Sequence, residues 1–184
     1  MTVILRYLSN IRYGRRIRRL HGRLGVPKGY GTRTGLPLQP EARRLVPIGP
    51  DIYQREQRLD PAAAAAWKRM REAAARDGVE LQVVSAYRSV EYQEGILRRK
   101  MDGGRPIEEI LRASAAPGYS EHHSGRALDL TTPGYAVLEE EFEDSDAFRW
   151  LCKSAGRFGF TLSYPRDNPH GVIYEPWHWA WHES

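Results

Sequence analysis

Two short clusters of ionisable side chains, far apart in the sequence, constrain the fold of this chain most strongly. The first is the run Ser120-Glu121-His122-His123-Ser124-Gly125-Arg126-Ala127-Leu128-Asp129, and the second is Glu175-Pro176-Trp177-His178. A fold that joins them would supply three nitrogen or oxygen ligands and a free carboxylate, the set that a catalytic zinc ion uses. The sequence therefore predicts a mononuclear zinc hydrolase site, with His122, Asp129, Glu175 and His178 as the candidates for these four roles.

The spacing within the first cluster is compatible with two ligands on one ion. His122 and Asp129 are seven residues apart, and Gly125 between them suits a turn that a side chain would obstruct. Alternation over Arg126–Thr131 predicts a strand from which Asp129 can face a cleft. His123 is an alternative to His122 if the loop is shifted by one residue.

The second cluster is less regular. Val172 to Trp181 is predicted as a strand, in which Glu175 and His178 would face opposite ways. A break in the ladder at Pro176 would let both reach the same ion, and such departures from regularity often mark functional sites. The alternative is an edge strand with an exposed Glu175 and a His178 that packs among tryptophans.

The charge of the 184-residue chain is unevenly distributed. Of its 28 Lys and Arg residues, nine precede Glu41, where there is no Asp or Glu, so the remainder holds 19 basic and 23 acidic residues. We therefore predict a basic N-terminal arm and Gly/Pro-rich connector over residues 1–40, and one folded domain over residues 41–184. The lone Cys152 lies in an apolar helical run, which predicts a buried thiol.

The arm itself permits more than one interpretation. Its helical period places Ile4, Leu8 and Ile11 roughly on one side. The run Arg15-Arg16-Ile17-Arg18-Arg19 could make weak contact with an anionic surface, although a solvated basic terminus is favoured and no specific nucleic acid is expected. The apolar stretch Val3–Leu8 is short and contains Arg6, so no secretion signal is predicted and the expected location is cytoplasmic. The location would be periplasmic if the start site is misassigned or export uses another route.

Helices and antiparallel-capable strands in irregular order predict an α+β fold, in which helices flank a small antiparallel sheet that carries the metal site. The clearest helix begins after Asp60 as N-cap and Pro61 at its first position, and ends before Gly78. Further elements are expected as strands over 79–87, 126–131, 161–164 and 172–181 and as helices over 90–101, 107–115 and 147–158.

Three motifs together resemble those of the VanY-type D-alanyl-D-alanine carboxypeptidases. They are Ser120-x-His122-x-x-Gly125-x-Ala127-x-Asp129, Tyr87-Arg88-Ser89 followed by Gln93, and Glu175-Pro176-Trp177-His178. These enzymes belong to a wider group of zinc metallopeptidases that includes lysostaphin-like and hedgehog-type domains. The resemblance covers roughly residues 50–182 and leaves the basic arm without a counterpart.

The resemblance implies a role for each matched residue. His122, Asp129 and His178 would bind Zn²⁺, and Glu175 would be the catalytic base. Arg88 would hold the substrate's carboxylate or the developing oxyanion, since its planar fork suits either. The substrate pocket would further include three residues: Gln93 and Ser120 as hydrogen-bonding groups and Trp177 as a wall.

The implied function is a zinc-dependent carboxypeptidase that removes a terminal D-amino acid from peptidoglycan stem peptides or muropeptides, acting as a monomer. Without a secretion signal, soluble substrates inside the cell are favoured, so L,D-activity is slightly preferred to D,D-activity. Two alternatives remain open. One is a peptidoglycan endopeptidase of the same fold, and the other is a non-catalytic, zinc-stabilised module that binds the cell wall.

Overall fold

A computed structural model describes residues 2–183, with side chains from residue 11 onward. The helices are Thr2–Leu24 (α1), Tyr30–Thr34 (α2), Pro61–Arg76 (α3), Val90–Asp102 (α4), Ile107–Ala113 (α5) and Asp146–Ser154 (α6). The strands are Val46–Pro50 (β1), Glu56–Leu59 (β2), Gln82–Ser85 (β3), Ala127–Thr131 (β4), Phe160–Leu162 (β5) and His178–Trp181 (β6). Short 3₁₀ helices cover Glu121–Ser124, Glu140–Asp144 and Ala155–Phe158.

The strands form two antiparallel sheets, which confirms the predicted α+β class. β1 pairs with β2 in a two-stranded sheet, and the larger sheet has the order β3-β4-β6-β5. The register pairs Asp129 of β4 with His178 of β6. Because β6 lies between β4 and β5, the alternative that placed His178 on an edge strand is wrong.

The main hydrophobic core joins the larger sheet to α3 and α6. Asp60 caps α3 by accepting a hydrogen bond from the backbone N–H of Ala62, and Pro61 occupies the first turn, as the sequence predicts. Trp67 and Met70 of α3 are almost fully buried and pack in the same cluster as Leu128 and Trp179. Cys152 is exposed on α6, so the prediction of a buried thiol is wrong.

A second hydrophobic cluster involves the N-terminal segment. Ile17, Leu20 and Leu24 of α1 are buried, and they pack in one cluster with Leu97 of α4 and Ile110 of α5. The segment thus differs from a solvated arm, because over residues 17–24 every third or fourth residue of α1 contributes to a core. The domain boundary at residue 40 stays a prediction. The packing of α1 against α4 and α5 nevertheless joins the residues on its two sides.

Polar contacts also tie this segment to the domain. Arg16 forms an ion pair with Glu41 at 3.1 Å and a second one with Glu91. The other carboxylate oxygen of Glu41 accepts a hydrogen bond from the backbone N–H of Val90 at 2.8 Å, at the start of α4. Arg16 and Glu41 therefore connect α1 to the first turn of α4.

The connector after α2 pairs with the loop that carries the first cluster. The N–H of Gln39 donates to the carbonyl of Gly118, and that of Ala42 donates to the carbonyl of His123, both at 2.8 Å. Gly118 has a φ of 87°, and a Cβ at this position would lie 2.8 Å from Ile17. The N-terminal segment and the residues directly after it therefore support the backbone on both sides of His122.

Within residues 2–183, no helix combines the length and apolar character needed to cross a bilayer.

The packing of α1 predicts that its buried face stabilises the whole domain. Leu24→Ala should lower the free energy of unfolding by about 2–5 kcal/mol, the usual cost of removing a buried leucine side chain, since Leu24 is 1% exposed. Urea unfolding measures this change. Arg18→Ala, on the exposed face, is the control and should change the value by no more than about 0.5 kcal/mol. Equal stability of both variants would contradict the packing of α1.

Candidate metal centre and active site

A tight turn fixes the position of His122 above β4. The 3₁₀ helix Glu121–Ser124 ends at Gly125, which has a φ of 68°. A Cβ on Gly125 would lie 2.9 Å from the backbone nitrogen of Asp60, whose N–H donates to the Gly125 carbonyl at 2.8 Å. Only glycine combines this conformation with so close an approach of two backbones.

A second turn brings the C-terminal cluster to the same place. The N–H of His178 donates to the carbonyl of Glu175 at 3.1 Å, with Pro176 and Trp177 inside the turn. This is the predicted break in the strand, and β6 begins only at His178. As a result, Glu175 Oε2 lies 3.9 Å from Nδ1 of His178 instead of on the opposite face of a strand.

Three buried side chains converge on one point. Oδ1 of Asp129 is 3.2 Å from Nε2 of His122 and 3.0 Å from Nδ1 of His178. One ligand atom from each of the three residues lies within 4.8 Å of the others. Two imidazole nitrogens and one carboxylate oxygen suit a zinc ion and leave a fourth position for a reacting group. The three residues could therefore form a metal site.

Each imidazole has a partner on its far side. Nδ1 of His122 lies 2.5 Å from the carbonyl oxygen of Ala86 and must donate its hydrogen there. Nε2 of His178 lies 2.8 Å from Oε2 of Glu121. These contacts leave Nε2 of His122 and Nδ1 of His178 as the atoms that face Asp129, an arrangement typical of metal-binding histidines.

His123 has a different environment from His122. Its Nε2 accepts a hydrogen bond from the Gly118 N–H at 3.0 Å, and its Nδ1–H donates to the Arg88 carbonyl at 2.6 Å. Both nitrogens are thus occupied by backbone groups, and burial lowers the pKa of the ring. The alternative in which His123 replaces His122 is therefore excluded, and His123 instead links the loop to the backbone at Arg88.

The buried charges at the site interact strongly. Burial would lower the pKa of His178, but hydrogen bonds with Asp129 and Glu121 raise it to about 10. Burial would likewise raise the pKa of Asp129, but the imidazoles and Arg88 hold it well below its usual range. At neutral pH, without metal, His178 is therefore a cation between two carboxylates.

The pKa of Glu175 is raised, whereas that of Asp129 is lowered. Burial, together with the nearby charge of Asp129, raises its pKa to about 7, although His178 opposes the shift. A carboxyl group with a pKa near the working pH can both accept and donate a proton, which is what a general acid–base residue needs.

Arg88 and its neighbours line the cavity beside the three convergent residues. One guanidinium nitrogen of Arg88 contacts Asp129 Oδ2 at 2.8 Å, and another contacts Gln93 Oε1 at 3.4 Å. Its Nε is buried and has no hydrogen-bond partner among the described residues. The cavity is lined by Arg88, Gln93, Ser120, His122, Glu175 and His178, with Tyr164 beside them. The residues predicted from the sequence are thus together, with one exception.

The exception is Trp177, which was predicted as a wall of the pocket. Trp177 does not line the cavity but is buried in the main hydrophobic core, in the same cluster as Phe148 and Trp179. The physical reason is the turn at residues 175–178, which places neighbouring side chains in different environments. The structure therefore places Trp177 in the core, and its role as a wall of the substrate pocket stays a prediction.

Two residues of the site were not predicted. The ring of Tyr164 lies 4.9 Å from that of His178, and its carbonyl accepts the N–H of Glu175 at 3.0 Å. Glu121 contacts the far nitrogen of His178. The only signal for Glu121 was an acidic residue directly before a predicted ligand. Tyr164 gave none, because it reaches the site through the pairing of β5 with β6.

Comparison with known proteins agrees with this geometry. Residues 56–184 match the model of the family described as VanY: D-alanyl-D-alanine carboxypeptidase. Because the match covers most of the chain, the protein belongs to this family. A putative carboxypeptidase, YodJ, of Bacillus subtilis (strain 168) is 37% identical over 121 residues, which make up 63% of this chain and 43% of that protein. The aligned region thus spans less than half of that relative.

Solved structures show the same fold. An LD-carboxypeptidase, LdcB, has a TM-score of 0.70 and 31% identity, and the match covers 79% of this chain and 71% of that one. A vancomycin-resistance D,D-pentapeptidase, VanY from a VanB-type cassette, was solved in complex with Zn(II). It has a TM-score of 0.60 and 29% identity over 79% of this chain and 82% of its own.

The charge of His178 predicts how the stability of the metal-free protein depends on pH. Its pKa in the folded state, about 10, exceeds its usual value of 6.5. The stabilisation is therefore fully present below pH 6.5 and is lost as the pH rises through about 10. Urea unfolding of chelator-treated protein should show a falling free energy of unfolding between pH 8 and 10. His178→Gln should show a smaller fall, and equal slopes would contradict the assigned charge.

Proposed function

We propose that this protein is a zinc-dependent carboxypeptidase that removes a terminal D-amino acid from peptidoglycan stem peptides or muropeptides. The observation that carries the proposal is the convergence of His122, Asp129 and His178 on one point, with the separate carboxylate of Glu175 next to it. Family membership and the Zn(II) complex of a related D,D-pentapeptidase support it.

The donor set fits zinc, with His122, Asp129 and His178 as the ligands. When bound, zinc polarises a carbonyl oxygen as a Lewis acid and makes water a stronger acid. Asp129 also forms an ion pair with the guanidinium of Arg88 at 2.8 Å. One carboxylate therefore contacts both histidine ligands and the proposed substrate-binding group.

Glu175 is the proposed general base and acid. Its carboxylate would take a proton from the attacking water and deliver it to the leaving amine. In the metal-free site burial raises the pKa of Glu175 to about 7, and a bound cation would favour the ionised form that accepts a proton. Its separation of 3.9 Å from Nδ1 of His178 suits a residue that lies beside a ligand set without belonging to it.

Arg88, Gln93 and Ser120 are the proposed contacts for the end of the substrate. The unpartnered Nε of Arg88 and the polar lining of the cavity suit a terminal carboxylate or a developing oxyanion. A group in the cavity that binds a terminal carboxylate would favour a carboxypeptidase over an endopeptidase. The buried Glu175 and Arg88 likewise favour catalysis over a non-catalytic binding module, because an unneeded buried charge is costly.

L,D-specificity is proposed as slightly favoured over D,D-specificity. Support comes from LdcB, the neighbour with the TM-score of 0.70, which is named as an LD-carboxypeptidase. A cytoplasmic location, where soluble muropeptides would be the substrates, is part of the same proposal. We further propose a monomer. The exposed residues Arg12, Arg15 and Arg19 of α1 would make only weak contact with anionic surfaces.

The proposed roles predict that metal binding and chemistry can be separated. Purified protein should contain about one zinc ion per chain, which elemental analysis measures. Glu175→Gln should keep this zinc while losing about 10²- to 10⁴-fold in kcat, the usual effect of removing a general base. His122→Ala should lose both zinc and activity. Glu140→Gln, on the surface, is the matched control, and near-normal turnover of Glu175→Gln would reject the assignment.

The proposed carboxylate contact predicts selectivity for a free C-terminus. Amidating the substrate removes the negative charge that the unpartnered Nε of Arg88 would bind, so kcat/KM should fall by an amount equivalent to about 2–5 kcal/mol. Arg88→Lys should be impaired on the free acid, because an ammonium group cannot reproduce a planar fork.

Mass spectrometry of defined tri-, tetra- and pentapeptide muropeptides provides the measurement. Loss of D-Ala from the tetrapeptide at least as fast as from the pentapeptide supports L,D-specificity. Activity on the pentapeptide alone would replace it with D,D-specificity. Efficient internal cleavage of an amidated or cross-linked peptide would overturn the exopeptidase assignment in favour of an endopeptidase.

A further inference from the structure

Glu121 lies directly behind one of the proposed metal ligands. Its Oε2 is 2.8 Å from Nε2 of His178, while Nδ1 of the same ring is 3.0 Å from Asp129. Glu121 is not one of the three residues whose ligand atoms converge. Its carboxylate therefore contacts the site only through His178.

The two ring nitrogens of His178 have distinct positions. Nδ1 faces Oδ1 of Asp129, the atom that Nε2 of His122 also faces, so Nδ1 is the nitrogen at the convergence point. Nε2 is on the far side of the ring. A neutral imidazole carries one hydrogen, and it stays on the nitrogen that faces an acceptor outside the ligand set.

We propose that Glu121 is a positioning residue for metal binding, which accepts the Nε2–H of His178 and thereby holds the ring with Nδ1 free to coordinate. This inference rests on the proposed zinc site. It adds a residue that acts through a ligand and does not contact the substrate. An ionised partner accepts a stronger hydrogen bond than a neutral one and makes the imidazole a better donor to the metal.

The surroundings of Glu121 are suited to this role. The residue begins the 3₁₀ helix that also carries His122, and its carbonyl accepts the Ser124 hydroxyl at 2.6 Å. One segment therefore supplies a ligand and the partner of another ligand. The ring of Tyr164 packs against His178 at 4.9 Å and restricts its rotation from another side.

The second histidine ligand uses a backbone acceptor instead. Nδ1 of His122 donates to the carbonyl of Ala86, which no side-chain substitution removes. Glu121 is thus the partner whose contribution can be measured by mutation. Its carboxylate side chain is 21% exposed, so replacement there is less disruptive than in the core.

The test is zinc affinity, measured by competition with a chromophoric chelator on the full chain. Glu121→Ala should bind zinc about 10- to 100-fold more weakly than the wild type, the usual effect of losing the partner of a ligating histidine. Glu121→Gln keeps the shape and an acceptor oxygen, so its loss should be smaller. Glu41→Ala is the control, since that carboxylate accepts from the Val90 N–H and not from a ligand; its zinc affinity should be unchanged.

A second measurement separates positioning from a general loss of structure. Long-range ¹H–¹⁵N NMR of the zinc-loaded wild type should show His178 protonated at Nε2 and coordinated through Nδ1, with the Nε2 signal shifted in Glu121→Gln. Thermal unfolding of the metal-free variants checks that they fold. If Glu121→Ala does not fold, the affinity and spectrum of Glu121→Gln decide the question.

The outcomes distinguish this inference from the proposed function. A wild type that binds no zinc would overturn both. A wild type that binds zinc, together with a Glu121→Ala variant of equal affinity, would overturn the positioning role alone. Coordination of His178 through Nε2 would also overturn it, because that nitrogen could not then donate to Glu121.

Discussion

The carboxylate of Asp129 is the contact on which the rest of the site depends. It is buried on the central strand β4 and interacts with His122, His178 and Arg88 at 2.8–3.2 Å. A buried charge is costly unless it is paired, and here the pairing groups come from three separate parts of the chain. Each of those segments must therefore be held in place, and the fold supplies a distinct support for each one.

The supports are mostly backbone contacts and turns. Gly125 allows the loop of His122 to approach Asp60, and the turn from Glu175 to His178 places two ionisable groups on one side of β6. His123 binds the Arg88 carbonyl and the Gly118 N–H, so it couples the loop to the segment of Arg88. The site is therefore formed by several loops that a rigid sheet holds in place, as is common for catalytic residues.

The N-terminal segment belongs to this support, although it lies outside the residues matched by the family model. Gln39 and Ala42 pair with Gly118 and His123, on either side of His122, and the buried Ile17 of α1 lies against Gly118. The arginines of α1 explain the high net charge of this segment, but its packing depends on the apolar residues between them. A highly charged segment can thus form a helix that packs on the core, because its charged residues and its buried apolar residues lie on different faces.

Spacing, capping and turn residues are local signals, so the amino-acid sequence was enough to predict the residue types of the site, the α+β class and the ends of α3. It predicted that His122, Asp129, His178, Glu175 and Arg88 belong together, largely through motifs that resemble a known family. Long-range packing was needed to show that His123 binds backbone groups, that Trp177 lies in the core, and that α1 packs on the domain. It was also needed to show that Glu121 and Tyr164 contact His178. These outcomes depend on contacts between residues that are distant in the chain. The hydrophobic period of a helix and the spacing of a motif are local, so they do not indicate which distant residue will contact a given helix face or histidine nitrogen.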